Sequence, residues 1–174
     1  MSISPALKKD IPALVQLING AYRGEGAKKG WTTEADLLEG TRTDDDNLMD
    51  LISNPHTVIL KYTDDAGKIL ACVNLQKQDN RLYLGMLTVS PQLQGAGIGK
   101  KLLAAADDYA REHGCMTVYM TVISVRSELI AWYERHGFHK TGELKPFPVG
   151  EKFGIQKIPL EMIVMEKKLT TANA

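Results

Sequence analysis

The sequence predicts a mixed α/β (α+β) domain with a central, mostly antiparallel sheet of about seven strands flanked by helices. Two periodicities carry that expectation. Apolar residues recur at helical spacing over 10–22, 97–112 and 126–136, and alternate at period two over much of 56–89. Length bounds it further: 174 residues fit one domain of about 150. Residues 1–170 are expected to form that domain and 171–174 a short tail.

In chain order, Ser2–Ala6 reads as an opening strand. Ile11, Leu14, Val15, Ile18 and Tyr22 fall on one face of a first helix. Gly24, Gly26 and Gly30 form a loop before Trp31. Thr33 followed by Asp36, and Thr43 followed by three aspartates, resemble two helix N-termini, so 34–53 is expected to hold two short helices. Strands at 56–63, 69–76 and 82–89 are separated by Asp64–Gly67 and Asp79–Asn80, an antiparallel meander. Cys72 is expected to face outward from the middle strand. Helix 97–112, strand 116–122, helix 126–136 and strand 138–143 follow as a strand–helix–strand crossover. Residues 145–159 hold three prolines and two glycines and read as a long loop. A last strand occupies 161–169.

Composition excludes several function classes. The 21 Lys+Arg balance the 21 Asp+Glu, which argues against nucleic acid held on a broad basic surface. Two cysteines do not make a disulfide scaffold. Lys8, Lys9 and Asp10 interrupt any signal-peptide core, and no apolar run reaches membrane-span length. The expectation is a cytoplasmic protein with no membrane or nucleic-acid partner. The four histidines show no metal-ligand spacing, so no metal is expected. Met86, Met116, Met120 and Met165 read as core filler.

The most informative stretch is Leu82–Lys101, where a strand enters Gln94-Gly95-Ala96-Gly97-Ile98-Gly99-Lys100 and opens a helix. Free N–H groups and the positive dipole end meet there, and glycines admit phosphate oxygens close to the backbone. A pyrophosphate is the expected ligand. The Walker spacing fails, because Gln94 stands at its first glycine and Lys101 at its Ser/Thr. The dinucleotide fingerprint fails as well, because the glycines run 95, 97, 99.

Gln94–Gly99 resembles the Gln/Arg-x-x-Gly-x-Gly/Ala signature of the GCN5-related N-acetyltransferase (GNAT) superfamily. Leu129-Ile-Ala-Trp-Tyr133-Glu-Arg-His-Gly137-Phe138 resembles that superfamily's late helix. Ser4-Pro-Ala and Ala21-Tyr22-Arg23 are similar to its first strand and helix. The resemblance implies a GNAT-like sheet and acetyl-CoA as cosubstrate. It implies cofactor contacts from Leu87, Thr88, Val89, Gln94, Gly95, Ala96, Gly97, Ile98, Gly99 and Lys100. It also implies acetyl transfer to a primary amine by direct attack in a ternary complex, with the Val89 N–H at the oxyanion and Tyr133 as general acid. Small-molecule and peptide amines are both open as acceptors, as are monomer and homodimer and a non-catalytic acyl-CoA-binding role.

Chemistry constrains these roles. A phenol titrates near 10 and a thiol near 8.5, so full proton transfer to the thiolate is uphill by about 2 kcal/mol. A hydrogen bond that strengthens as charge develops on sulfur describes Tyr133 better. The competing structural role is packing on Phe138. Many relatives carry a base glutamate on the strand before the glycine loop; Tyr83, Gly85 and Thr88 stand here without a carboxylate. Glu34 is the remaining candidate base, through water. The family's frequent Asn seven residues before the tyrosine is Arg126 here, which either contacts the cofactor or caps a solvated helix face.

Between Glu34 and Asp50, seven acids face one base, Arg42. They either attract a cationic amine or sit as solvated acids near helix starts. Trp31 either stacks on the acceptor or anchors its loop. Phe147 and Phe153 either form a second acceptor wall or belong to a simple connection.

Overall fold

The computed structural model describes residues 2–22, 38–39, 43–146, 155–156 and 161–169. Its strands are β1 (Ser2–Pro5), β2 (Leu38–Glu39), β3 (Thr57–Thr63), β4 (Ile69–Gln78), β5 (Arg81–Val89), β6 (Thr117–Ile123), β7 (His139–Pro146), β8 (Ile155–Gln156) and β9 (Glu161–Lys168). Its helices are α1 (Ile11–Tyr22), α2 (Asp45–Ser53), α3 (Ile98–Glu112) and α4 (Ser127–Arg135). The main sheet has seven strands in the order β1-β3-β4-β5-β6-β9-β7. Every pairing in it is antiparallel except β5 with β6, where the α3 crossover makes the strands parallel.

Alternation along the strands sorts side chains onto two packed faces. Leu60, Ala71, Val73, Leu75, Leu82 and Leu84 meet Leu102, Ala106 and Ile130 of α3 and α4. Ile59, Cys72 and Met86 meet Leu14 and Ile18 of α1 and Leu48 of α2. Truncating a fully buried leucine such as Leu14 or Leu75 to alanine costs about 2–5 kcal/mol. The helices thus clamp the sheet from both sides, and β5 lies between them.

Five expectations change. Residues 34–53 hold one described helix, α2, while Leu38–Glu39 are extended and pair with Gln156–Ile155. The cap of α2 is Asp44, whose carboxylate accepts the Asn47 N–H at 2.7 Å. Thr43 is instead buried and tied to α1, exchanging two 2.9 Å bonds between its backbone and the Asn19 amide. The expected loop 145–159 contains strand, because β7 runs on to Pro146 along β9 and β8 closes the small second sheet. Cys72 does not face water; α1 and α2 cover that side of β4, so both faces of the strand are buried. Met116 is exposed at the start of β6, whereas Met86, Met120 and Met165 are core. Among the described residues no helix is long and apolar enough to cross a membrane.

Candidate active site

The cleft begins where two central strands part. β5 pairs with β6 only through Arg81, Leu82 and Tyr83, yet β5 runs on to Val89 and β6 to Ile123. A bulge accompanies the opening. Opposite β4 the register shifts between Cys72 and Asn74, placing Met86 and Leu87 against a single residue. Met86 takes φ 51°, a left-handed conformation rare for a large side chain. It is held there by burial of its thioether under α1 and by the Thr88 hydroxyl, which donates to the Met86 carbonyl at 2.9 Å.

The bulge sets the direction of the next amides. Ser90 N–H bonds to Leu70 O on β4 at 2.9 Å. Successive N–H groups of a strand point to opposite sides, so the Val89 N–H is directed away from β4, into the gap beside β6. The Val89 carbonyl accepts the Gln94 side-chain amide at 3.2 Å, which folds the glycine loop back onto the strand end.

Gly97 is the N-cap of α3 at φ 81° and ψ 8°, and no side chain caps this turn. Only glycine takes that backbone without strain. The first intrahelical bond runs from Lys101 N to Gly97 O at 3.2 Å, leaving the Ile98, Gly99 and Lys100 N–H groups without an acceptor in the helix. These amides and the dipole end make an anion cradle at the mouth of the parted strands.

Helix α4 forms the facing wall. Leu129, Trp132, Tyr133 and His136 lie along one stripe at i, i+3, i+4 and i+7, and all border the same cleft of about 430 Å³. Tyr133 is buried, with Phe138 edge-on at 5.6 Å and Trp132 at 5.1 Å. Packing on Phe138 and access to the cleft therefore coexist. Arg126 also borders the cleft and is 5% exposed, which removes the solvated-face reading for it.

Of the residues singled out from sequence, Leu87, Thr88, Val89, Gln94, Gly95, Gly97, Ile98, Gly99, Lys100 and Tyr133 come together on the walls of this cleft. Ala96 does not; it is exposed, and its N–H turns back to Leu93 O at 3.4 Å. Trp31, Glu34, Phe147 and Phe153 lie outside the described residues. Sequence reasoning missed Ala21, Leu93, Trp132, Arg135 and His136 as wall residues. The helical stripe through Tyr133 was signal enough for Trp132 and His136. The Met86 bulge left no signal, since the adjacent Gly85 is the residue one would choose for positive φ.

The sequence model of the acetyltransferase (GNAT) family matches residues 12–138, from the start of α1 to the end of the α4 wall. The chain belongs to this family. Over 70 residues it is 40% identical to an acetyltransferase of Agrobacterium fabrum, covering 40% of this chain and 50% of that one. Over 68 residues it is 35% identical to the streptothricin acetyltransferase of Streptomyces lavendulae, covering 39% of this chain and 36% of that one. Over 68 residues it is 31% identical to the spermine/spermidine N(1)-acetyltransferase of Bacillus subtilis, covering 38% and 45%. The matched segment thus spans half or less of the length of these curated relatives.

The GNAT fold is shared with solved structures at low identity. The ribosomal-protein-S18-alanine N-acetyltransferase of Escherichia coli superposes with TM-score 0.72 at 19% identity, covering 98% of this chain and 95% of that one. The ribosomal-protein-alanine N-acetyltransferase of Brucella melitensis gives 0.70 at 22%, covering 97% and 100%. Enzymes of this family use acetyl-CoA as cosubstrate, and the uncapped first turn of α3 with Lys100 at the cleft are groups suited to an anion such as its pyrophosphate.

Proposed function

We propose that this chain transfers the acetyl group of acetyl-CoA to a primary amine by direct attack in a ternary complex. One observation carries the reading. The inward-directed Val89 N–H, the uncapped first turn of α3 and Tyr133 all border a single cleft. That is the set of groups a thioester needs for its oxyanion, its pyrophosphate and its leaving sulfur.

In this reading the pantetheine arm lies along Leu87–Val89 and the pyrophosphate sits on the amides of Gly97–Lys100. The neutral amine attacks the thioester carbon, and the carbonyl oxygen takes the charge toward the Val89 N–H. As the C–S bond breaks, the Tyr133 hydroxyl donates to sulfur and the amine's extra proton leaves to solvent or a base. No residue from Arg81 to Val89 is a carboxylate, so base work falls to Glu34 through water, with Trp31 against the acceptor. Both of those assignments rest on position in the sequence, beside the acidic segment, and both residues lie outside the described ones.

A cationic amine is the favoured acceptor. Two relatives are named for streptothricin and for spermine and spermidine, and the segment Glu34–Asp50 is acidic. Three of its acids, Asp44, Asp45 and Asp46, already sit at the α2 N-terminus, where the dipole favours them. Attraction of the acceptor therefore falls to the others. The test is a panel of polyamines, aminoglycoside-like amines and peptide N-termini with acetyl-CoA, read as release of free thiol. Acceptor-dependent release supports the proposal. Release with peptides alone would move the acceptor class to proteins, and no release with any amine would overturn it.

A further inference from the structure

The gap between the parted strands opens through the sheet. Leu87 and Val89 border the cleft from the α3 face, where they pack on the larger core. Thr88 borders it too, yet Thr88 stands opposite Cys72, whose side chain lies on the α1 face. A cosubstrate held between α3 and α4 therefore leaves the α1 face as the side from which an amine reaches its thioester. The groups on that face beside the gap decide how the amine is held.

Asn74 is the next residue of β4 on the same face as Cys72, about 7 Å along the strand. Its neighbours across the sheet are Ile59 on β3 and Gly85 on β5. Asn74 is 5% exposed, and its Oδ1 is buried with no hydrogen-bond partner among the described residues. Ile59 beside it belongs to the apolar core under α1 and α2. A carboxamide oxygen left unpaired there destabilises the fold where a leucine of similar volume would not. Packing thus gives no account of an asparagine at this position, whereas a ligand that donates a hydrogen bond does.

Gly85 brings a second oxygen to the same place. Pairing of β5 with β6 ends at Tyr83 and Tyr119, so Gly85 lies where the gap begins. Its missing side chain leaves room for the Tyr83 ring, which leans along the strand. A Cβ on Gly85 would lie 3.0 Å from Tyr83 Cε1 and 3.1 Å from the Tyr83 hydroxyl oxygen. That hydroxyl therefore stands over Gly85, on the face where Asn74 is the cross-strand neighbour at a Cβ separation of about 5 Å. The Tyr83 ring is steadied from β6 by the Tyr119 ring, 5.4 Å away. A carboxamide oxygen and a phenolic oxygen thus flank the near end of the gap.

We propose that Asn74 binds the acceptor: its Oδ1 and the Tyr83 hydroxyl oxygen accept the two N–H bonds of a primary amine at the α1-face mouth of the gap. The inference rests on the acetyl-transfer reading above. A neutral primary amine has two N–H bonds and one lone pair. Two oxygens that hold the N–H bonds leave the lone pair directed at the thioester carbon. As the C–N bond forms and the C–S bond breaks, the nitrogen gains positive charge and both hydrogen bonds strengthen. Neither group removes the amine's extra proton, which still leaves to solvent or a base. A secondary amine, with one N–H, satisfies only one of the two oxygens.

The test compares the wild type, Asn74→Leu and Tyr83→Phe in three measurements. These are thermal unfolding, calorimetric titration of acetyl-CoA, and kinetics with spermidine or the fastest primary amine of the panel above. Asn74→Leu is expected to hold or raise the midpoint and to bind acetyl-CoA within about twofold of the wild type, while kcat/KM for the amine falls about tenfold or more. Tyr83→Phe should lose a smaller part of kcat/KM and likewise spare acetyl-CoA. Asn74→Ala carries the kinetic arm if the leucine variant does not fold. Unchanged kcat/KM in the Asn74 variant overturns the site and leaves acetyl transfer standing. A loss matched by an equal weakening of acetyl-CoA overturns it too. Acetylation of no amine by the wild type overturns the acetyl-transfer reading and the site together.

Discussion

Gly99 and Trp132 meet face to edge, so close that a Cβ at Gly99 would lie 3.3 Å from Cζ2 and Cη2 of the indole. The contact joins the first turn of α3 to α4, and both residues line the cleft. Gly99→Ala gains about 1 kcal/mol of helix propensity but must push the ring by a few tenths of an ångström. The expected result is a thermal midpoint that holds or rises while acetyl-CoA affinity falls about three- to tenfold. Trp132→Phe removes the outer ring atoms, so the double variant should recover the affinity lost by Gly99→Ala. Additive losses in a double-mutant cycle would show that the contact does not shape the cleft.

Tyr133→Phe separates chemistry from binding. The ring keeps its packing on Phe138 and Trp132, so stability and acetyl-CoA affinity should stay within about twofold. Loss of the donor to sulfur should lower kcat by about 10²-fold or more, the usual scale of general acid catalysis. Steady-state kinetics with an active acceptor check this. An unchanged kcat would reduce Tyr133 to a packing residue.

Met86→Val probes the bulge. A β-branched residue is far less tolerant of φ 51° than methionine, and such strain costs about 1–3 kcal/mol. The variant should unfold earlier and lose acetyl-CoA affinity as well, because the bulge sends β5 away from β6 and turns Val89 inward. Met86→Leu keeps an unbranched Cβ and a similar volume, and should be nearly neutral in both measurements. Equal behaviour of the two variants would count against a strained bulge.

Much of the fold was legible because it is written in local periodicity. The seven strands of the main sheet and the α3 and α4 crossovers follow from alternation and helical stripes that tertiary packing reinforced. Failures came where burial or pairing is decided from a distance. Cys72 looks outward-facing until α1 and α2 cover it, and Leu38–Glu39 become a strand only because Ile155–Gln156 are there to pair. At the site, the glycine turn was legible from its own residues, and Tyr133 was singled out by the family resemblance; both line the cleft. The inward direction of Val89 depends on the Met86 backbone, which no composition signal marks.

Acid sensitivity should reside partly in one ion pair outside the cleft. The Asp10 carboxylate accepts the Leu7 N–H and the Lys61 ammonium, each at 2.8 Å. Burial alone would raise its pKa; those two partners outweigh it and hold the group below the ordinary carboxylate value. A depressed folded pKa adds stability above the unfolded value of about 4, and that stability is lost as pH falls through the folded value. Asp10→Asn should therefore lower the midpoint at pH 7, with the gap from wild type closing below about pH 4. A gap that stays constant with pH would show that the carboxylate's charge is not involved.

Thermal unfolding in the presence of acetyl-CoA, coenzyme A or ATP asks most directly whether the parted strands and the glycine turn hold the cosubstrate. At a concentration 100 times the dissociation constant, binding adds about 2.7 kcal/mol. For a domain of this length that raises the midpoint by about 5–11 °C. A rise of that size with both coenzyme A species and none with ATP is the expected result. No rise at millimolar acetyl-CoA would contradict the acetyltransferase reading of the site.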